Sequence, residues 1–244
     1  MSNQTPIVVL VHGAFAESST WYPVIESLGA RDIESVAVAN PLRSLAGDAA
    51  YVRDVVTGLG RPVLLVGHSY GGMVITQAAS ENPAVVGLVY VAAFAPEQGE
   101  SALQLSTTYP GSTLGEALTE YPVSAGGKEV VIRQDVFHQQ FAADLPASTA
   151  ALMAATQRPV TEAALAEGLP TDRPAWRSLP SWFVFGEDDR NIPAAAMRHA
   201  ASRAGARSVT QLHGASHAVS LAHPTVVVDT ILEALDDRSA ARAA

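Results

Sequence analysis

Three short stretches, far apart in the chain, carry side chains that could do chemistry together. Ser69 stands at the centre of Gly67-His68-Ser69-Tyr70-Gly71-Gly72. A serine hydroxyl is too weak an acid to attack a carbonyl unaided: it needs a base within hydrogen-bond reach, and that base needs a third group to orient it. Downstream, Gly186-Glu187-Asp188-Asp189-Arg190-Asn191-Ile192-Pro193 offers carboxylates. Further on, His213-Gly214-Ala215-Ser216-His217 offers imidazoles, with His223 close behind. Taken in the order serine, acid, histidine, these are the parts of nucleophilic acyl transfer: a hydroxyl attacks, an imidazole takes its proton, and a carboxylate holds the imidazole.

Such groups meet only if the fold delivers them to one place. Short apolar, β-branched runs recur at 6–11, 33–39, 62–66, 85–93, 181–185 and 208–212, and read as strands. Helical spacing fills most of the gaps, at 21–28, 46–59, 73–80, 194–204 and 225–235. This alternation is the pattern of an α/β fold, a parallel sheet covered by helices on both faces, with ligands expected at the carboxyl ends of the strands. Ser69 then falls on the sharp turn between the buried strand at 62–66 and the helix that follows. A strand turning at once into a helix strains the central residue and demands small neighbours on either side, a need met by Gly67 and Gly71. The same turn leaves the Tyr70 N–H at a helix N-terminus, where negative charge is favoured. The two other turns follow the last two strands.

The alternation stops after Ala95-Pro96 and resumes at Ser181, so the chain divides into a core, 1–96 with 181–244, and an insert, 97–180. Glycines and prolines break the insert into short pieces. Helices are expected at 136–143, 148–157 and 161–168, with an extended piece at 128–133; apolar residues such as Phe137, Phe141, Leu152 and Met153 favour docking as a helical lid over the strand ends. An apolar pocket there would draw on Phe15, Trp21, Phe94, Phe137, Leu152 and Met153. The lid's cations, Lys128, Arg133, Arg158, Arg173 and Arg177, are scattered, which favours an uncharged small-molecule ester or lactone of small to medium size as substrate.

Composition narrows the classes. At 244 residues, 48% hydrophobic and 16% charged, the chain can bury a sizeable core. Its 15 basic against 24 acidic residues give a net charge of −9 with no basic stripe, which disfavours nucleic acid as a partner. There are no cysteines, hence no disulfides and no thiolate metal ligands. Gly214 makes a helical His-x-x-x-His metal face improbable, so neither metal nor cofactor is expected. The first residues lack a basic region and the apolar run at 7–11 is far too short for a signal core or a membrane span, so the expectation is a cytoplasmic protein with no membrane partner. The tail at 239–244 has little to bury and is expected to fray. Oligomeric state is not legible.

With His12-Gly13-Ala14-Phe15 after the first strand, the elbow at Ser69, the turn from Gly186 to Pro193 and Ser216-His217 near the end, the sequence resembles the α/β-hydrolase family over essentially its whole length. The resemblance implies an α/β-hydrolase fold, mostly parallel, beginning near the family's third strand and carrying the insert as a cap. The family pattern Gly-x-x-Asp-x-x-x-Pro falls on Gly186, Asp189 and Pro193, which selects Asp189 as the orienting acid with Asp188 as its rival; Glu187 reads as a solvated turn charge. The base falls on His217, with His213 and His223 left to structural hydrogen bonds. The resemblance also makes the Ala14 N–H a second oxyanion donor beside the Tyr70 N–H. His12 and His68 read as loop-ordering histidines outside the proton transfer. The implied activity is that of a carboxylic ester hydrolase working through an acyl-enzyme. An ordinary imidazole titrates near ~6.5, so activity resting on one falls in acid.

Within the family, serine at the elbow argues against haloalkane dehalogenases and epoxide hydrolases, which carry aspartate there. The group of plant-type methylesterases and hydroxynitrile lyases is closer; its lyases place threonine and lysine where this chain has Gly13 and Ala218, which favours hydrolysis. Cofactor-free perhydrolase or haloperoxidase-like activity would share the triad. A triad-bearing small-molecule receptor is the alternative outside enzymology.

Overall fold

The computed structural model describes residues 5–124 and 126–243, with side chains described as far as Asp237. Met1 to Gln4 lie outside it, as do the side chains of the tail expected to fray. The first half of the chain alternates strictly: β1 (Ile7–Val11), α1 (Tyr22–Gly29), β2 (Ser35–Val38), α2 (Leu45–Leu59), β3 (Val63–His68), α3 (Gly71–Ala79) and β4 (Val85–Val91). The insert follows with α4 (Ala102–Thr107), α5 (Leu114–Ala117), β5 (Leu118–Pro122), β6 (Lys128–Ile132), α6 (Gln134–Phe141), α7 (Ala147–Thr156), β7 (Val160–Thr161) and α8 (Glu162–Ala166). Alternation then resumes with β8 (Ser181–Gly186), α9 (Ala194–Arg203), β9 (Ser208–Leu212), the short α10 (Val219–Ala222) and α11 (Pro224–Ala243).

The six core strands form one sheet in the order β2-β1-β3-β4-β8-β9, every neighbouring pair parallel. A parallel sheet is covered on both faces, so its inner strands can be apolar throughout. Every residue of β1, β3 and β8 is buried. The edge strand β9 instead alternates between half-buried and exposed positions. From β1 the chain steps outward to β2, then returns past β1 to β3. Because crossovers are right-handed, reversing direction puts α1 and α2 on opposite faces. Indeed α1 pairs with α11, and α2 with α3. The reversal opens a crevice at the carboxyl ends of β1 and β3, the place where open parallel sheets take ligands.

The insert departs from the expected helical lid. Its three helices at 136–143, 148–157 and 161–168 appear as α6, α7 and α8, and the extended piece as β6, but β6 is the centre of a small antiparallel sheet, β5-β6-β7. Most of β5 is exposed, so its sequence lacks the apolar alternation that marks a strand with one buried face.

Candidate active site

Ser69 follows β3 directly and has a positive φ of 55°. For a residue with a Cβ this left-handed conformation costs on the order of 1–2 kcal/mol. The surroundings hold it there. The Ser69 N–H donates to the Val91 carbonyl at 3.3 Å, and its own carbonyl accepts from Phe94 N at 3.3 Å and Gly72 N at 2.9 Å. Glycine is required on both sides for want of space: a Cβ on Gly67 would meet the Gly71 carbonyl oxygen at 2.7 Å, and one on Gly71 would meet the Val11 oxygen at 2.4 Å. Tyr70, the next residue, is anchored from α2 through its hydroxyl, which donates to the buried Asp48 carboxylate at 3.0 Å. Burial pushes the Asp48 carboxyl up, against the pull of hydrogen bonds from the Arg43 N–H and the Tyr70 hydroxyl. Burial and the neighbouring Asp48 charge push Tyr70 up as well, so its proton stays in place.

The loop after β1 lies against this elbow. A Cβ on Gly13 would meet Ser69 Cβ at 2.6 Å and the His68 carbonyl oxygen at 2.7 Å, so the glycine lets the two backbones touch. His12 sets the direction of the next peptide. Its Nε2 accepts from Asn40 N at 3.1 Å, which leaves the proton on Nδ1 to donate to the Gly13 carbonyl at 2.9 Å. In a trans peptide the carbonyl and the following N–H point opposite ways, so fixing the Gly13 oxygen aims the Ala14 N–H. Burial, with Arg158 adding to it against the Gly13 hydrogen bond, lowers the His12 pKa from 6.5 to about 4, so the ring stays neutral. Among the described residues, neither the Ala14 nor the Tyr70 N–H donates to a protein acceptor.

His217 follows β9, at the head of the segment that leads into α10. Its Nδ1 lies 2.6 Å from Asp189 Oδ2, with both side chains buried. The other oxygen of Asp189 accepts from Asn191 N at 2.7 Å and Ile192 N at 2.9 Å. These bonds turn Asp189 inward, whereas Asp188 and Glu187 remain exposed. His213 is exposed and pairs with Glu187; His223 pairs with Asp144. His68, beneath the site, contacts the His217 carbonyl through Nε2 at 3.0 Å, and the two rings lie 4.7 Å apart. Burial, followed by the nearby His217, holds the His68 pKa well below the ordinary value.

Ser69, Tyr70, Ala14 and His217 line one cavity of about 300 Å³. Phe15 and Phe94 from the core also line it, and the insert contributes Leu103, Leu114, Leu118 and Leu165. A second hollow, about 640 Å³ and open to solvent among Asp144, Glu187, Asp188 and Arg198, is not lined by Ser69 or His217.

Four expected pocket residues lie elsewhere. Trp21 and Phe137 are buried in an aromatic stack behind the histidines: Trp21 meets His68 edge-on at 6.4 Å, Phe141 meets His217 edge-on at 4.8 Å, and Phe137 stacks on Phe141 at 5.0 Å. Trp21 and Phe137 therefore back this aromatic layer from behind, and Phe141 is the ring that packs on His217. Leu152 points to solvent, 69% exposed, and Met153 packs against the core. The leucines that do line the wall carry no sequence signal of their own, because their placement depends on how the insert folds back. Among the described residues no three His, Asp or Glu side chains are grouped to hold a metal, and no helix is long and apolar enough to cross a membrane.

A six-stranded parallel sheet with a serine elbow, a buried acid–histidine pair and an insert before β8 defines an α/β hydrolase. Residues 8–230 match the profile of the Alpha/beta hydrolase family, and the chain belongs to that family. It is 28% identical to the Alpha/beta hydrolase nvfD of Aspergillus novofumigatus, over 94% of this chain and 96% of that protein. It is 26% identical to a pimeloyl-[acyl-carrier protein] methyl ester esterase of Xanthomonas axonopodis pv. citri, over 94% of this chain and 93% of that one. Among solved structures, polyneuridine aldehyde esterase superposes with a TM-score of 0.79 at 20% identity, covering 94% of this chain and 99% of its own.

Proposed function

We propose that this α/β hydrolase cleaves uncharged carboxylic esters of small to medium size through a serine-bound acyl intermediate. The observation that carries the reading is the 2.6 Å contact between His217 Nδ1 and Asp189, in the wall of the cavity that also holds Ser69 on its strained turn. An Nδ1 proton engaged by Asp189 leaves Nε2 as the ring's basic nitrogen. In the proposed cycle His217 Nε2 takes the Ser69 proton as Oγ attacks the ester carbonyl, and the developing oxyanion is met by the Ala14 and Tyr70 N–H groups. His217 then gives that proton to the departing alcohol. Water enters, loses a proton to the same nitrogen and releases the acid, returning the proton to Ser69.

The cavity supports the substrate class. Glu116 is the one Asp, Glu, Lys or Arg among its lining residues; of the insert's five cations, Lys128, Arg133, Arg173 and Arg177 are taken up in ion pairs outside it, and Arg158, close enough to His12 to lower its pKa, does not line it. A volume of about 300 Å³ lies at the small end of ligand pockets. Residues 97–180 serve as the cap over the strand ends. The test is a panel of p-nitrophenyl esters of graded acyl length on the wild type and Ser69→Ala. The substitution is expected to lower kcat by roughly 10⁴–10⁶, and the wild type alone should be phosphonylated by a fluorophosphonate, with loss of fluoride. Equal turnover in the two proteins would overturn the reading.

A further inference from the structure

Asp144, in the turn between α6 and α7, places its carboxylate on a distant part of the chain. Its Oδ1 accepts from Ser216 Oγ at 2.5 Å, and its Oδ2 accepts from Ser216 N at 3.2 Å and contacts His223 Nε2 at 2.9 Å. Ser216 immediately precedes His217, and His223 closes the short α10 that follows it. One side chain of the insert therefore grips both ends of the segment 216–223. Ser216 is buried, whereas Asp144, its side chain 17% exposed, and the half-buried His223 meet at the rim of the solvent-open hollow that Asp144 helps to line. Burial alone would raise the Asp144 carboxyl, but the hydrogen bonds from Ser216 and His223 outweigh it and hold the group ionised.

We infer that Asp144 is a positioning residue for His217, clamping the segment that carries the imidazole so that it keeps its place beside Asp189 and Ser69. The inference rests on the proposed role of His217 as the base. It makes the insert part of the catalytic support as well as the roof of the cavity, since this carboxylate ties the insert to both ends of the segment 216–223, beside the contacts of Phe141 with Ser216 and His217. An error of about 1 Å in the placement of a catalytic group costs on the order of 10²-fold in rate.

The experiment compares Asp144→Ala, Asp144→Asn and the double variant Ser216→Ala/His223→Leu, with folding checked by circular dichroism. Asp144→Ala is expected to lower kcat by about 10- to 100-fold with KM within about threefold, the mark of lost orientation rather than lost binding. Asparagine can keep the grip: its amide oxygen replaces Oδ2, and its NH₂ meets Ser216 Oγ, whose proton turns to the Phe141 carbonyl at 3.2 Å. Asp144→Asn should therefore stay within about threefold of wild type with the acid limb of its pH profile unmoved. Asp189 and His68 face the imidazole directly, so an acid limb displaced in both Asp144 variants would mean that Asp144 acts by charge, and the positioning role would fall. The double variant strips the Ser216 hydroxyl and the His223 imidazole from the carboxylate and leaves only the backbone N–H of residue 216 on it; it should lower kcat in the same direction as Asp144→Ala, by about tenfold, and it decides the matter should that variant not fold.

A spectroscopic readout separates this proposal from the esterase reading. The deshielded proton between His217 Nδ1 and Asp189 should stay sharp in Asp144→Asn and broaden in Asp144→Ala and in the double variant, whether or not any ester is turned over. A sharp proton and a kcat within twofold of wild type in a folded clamp-free variant would overturn it.

Discussion

The two walls of the cavity are built by different means. On the core wall Ser69 and Phe15 both have positive φ, at 55° and 60°, and both are buried. Their geometry is set by backbone touching backbone across glycine and by buried polar groups such as His12 and Asp48. The insert wall stands on short elements whose residues are partly open to water, Leu103 being 51% exposed. Side-chain hydrogen bonds fasten it to the core: Gln140 to Arg190 O and Asn191 Oδ1, Arg203 to Glu100, and Glu167 to the first N–H groups of α2. Chemistry that needs fixed donors sits where the backbone cannot relax. Under the proposed function, discrimination among substrates would fall to the insert wall, where side chains can be exchanged without disturbing the sheet.

The sharpest attack on the core wall is Gly13→Ala. The added methyl would lie 2.6 Å from Ser69 Cβ and 2.7 Å from the His68 oxygen, so either the elbow or the β1 loop must shift. A shift there displaces the Ala14 N–H from the oxyanion position proposed for it. Loss of one such donor costs on the order of 10²–10³ in kcat, and overpacking removes about 1–3 kcal/mol of stability. Steady-state kinetics and urea unfolding on the same sample should show both effects. Full activity in Gly13→Ala would mean that the two walls do not differ in rigidity.

The buried histidines offer a second test, this time through stability. His12 is held neutral in the fold, its pKa lowered from 6.5 to about 4, so the unfolded chain takes up its proton first as the pH falls. Stability is then fully present above about 6.5 and is lost as the pH falls from 6.5 to about 4. The shift corresponds to on the order of 3 kcal/mol. His68, lowered in the same direction, adds to the loss. His12→Gln keeps a donor for the Gly13 carbonyl and removes the titration, so its unfolding free energy should fall less steeply than that of wild type across this interval. Parallel curves for the two proteins would show that His12 ionises freely in the fold.

Much of the core wall was legible in the sequence because doubly buried parallel strands read as unbroken apolar runs, and because the elbow must have glycine at 67 and 71. The choice between Asp188 and Asp189 was not legible from residue type. It is made by a turn in which Asn191 and Ile192 N–H groups capture one oxygen of Asp189 and leave the other for His217. The insert was least legible. Its strand β5 is mostly exposed, and the leucines of the cavity wall are distinguished from Leu152 only by the way short elements fold back on the core. Aromatic residues misled for a related reason: Trp21 and Phe137 are near the site, but nearness along a motif does not say on which side of an imidazole a ring packs.

The mildest perturbation tests the insert wall alone. Leu103, on α4, lines the cavity with half of its side chain still in water, so it cannot contribute the full value of a buried leucine. Full burial of such a side chain is worth about 1.5–3 kcal/mol, and a half-exposed one should give about 1 kcal/mol or less to a bound acyl chain, roughly a three- to fivefold change in KM. Leu103→Ala should therefore raise KM by that factor for an ester long enough to reach α4 and leave it nearly unchanged for an acetate ester. Neither kcat nor the urea midpoint should move, because the residue neither touches the elbow nor supports the sheet. The chain-length dependence is the decisive part: a loss shared equally by short and long esters, or one falling on kcat, would place Leu103 with the fixed machinery of the core and erase the division between the two walls.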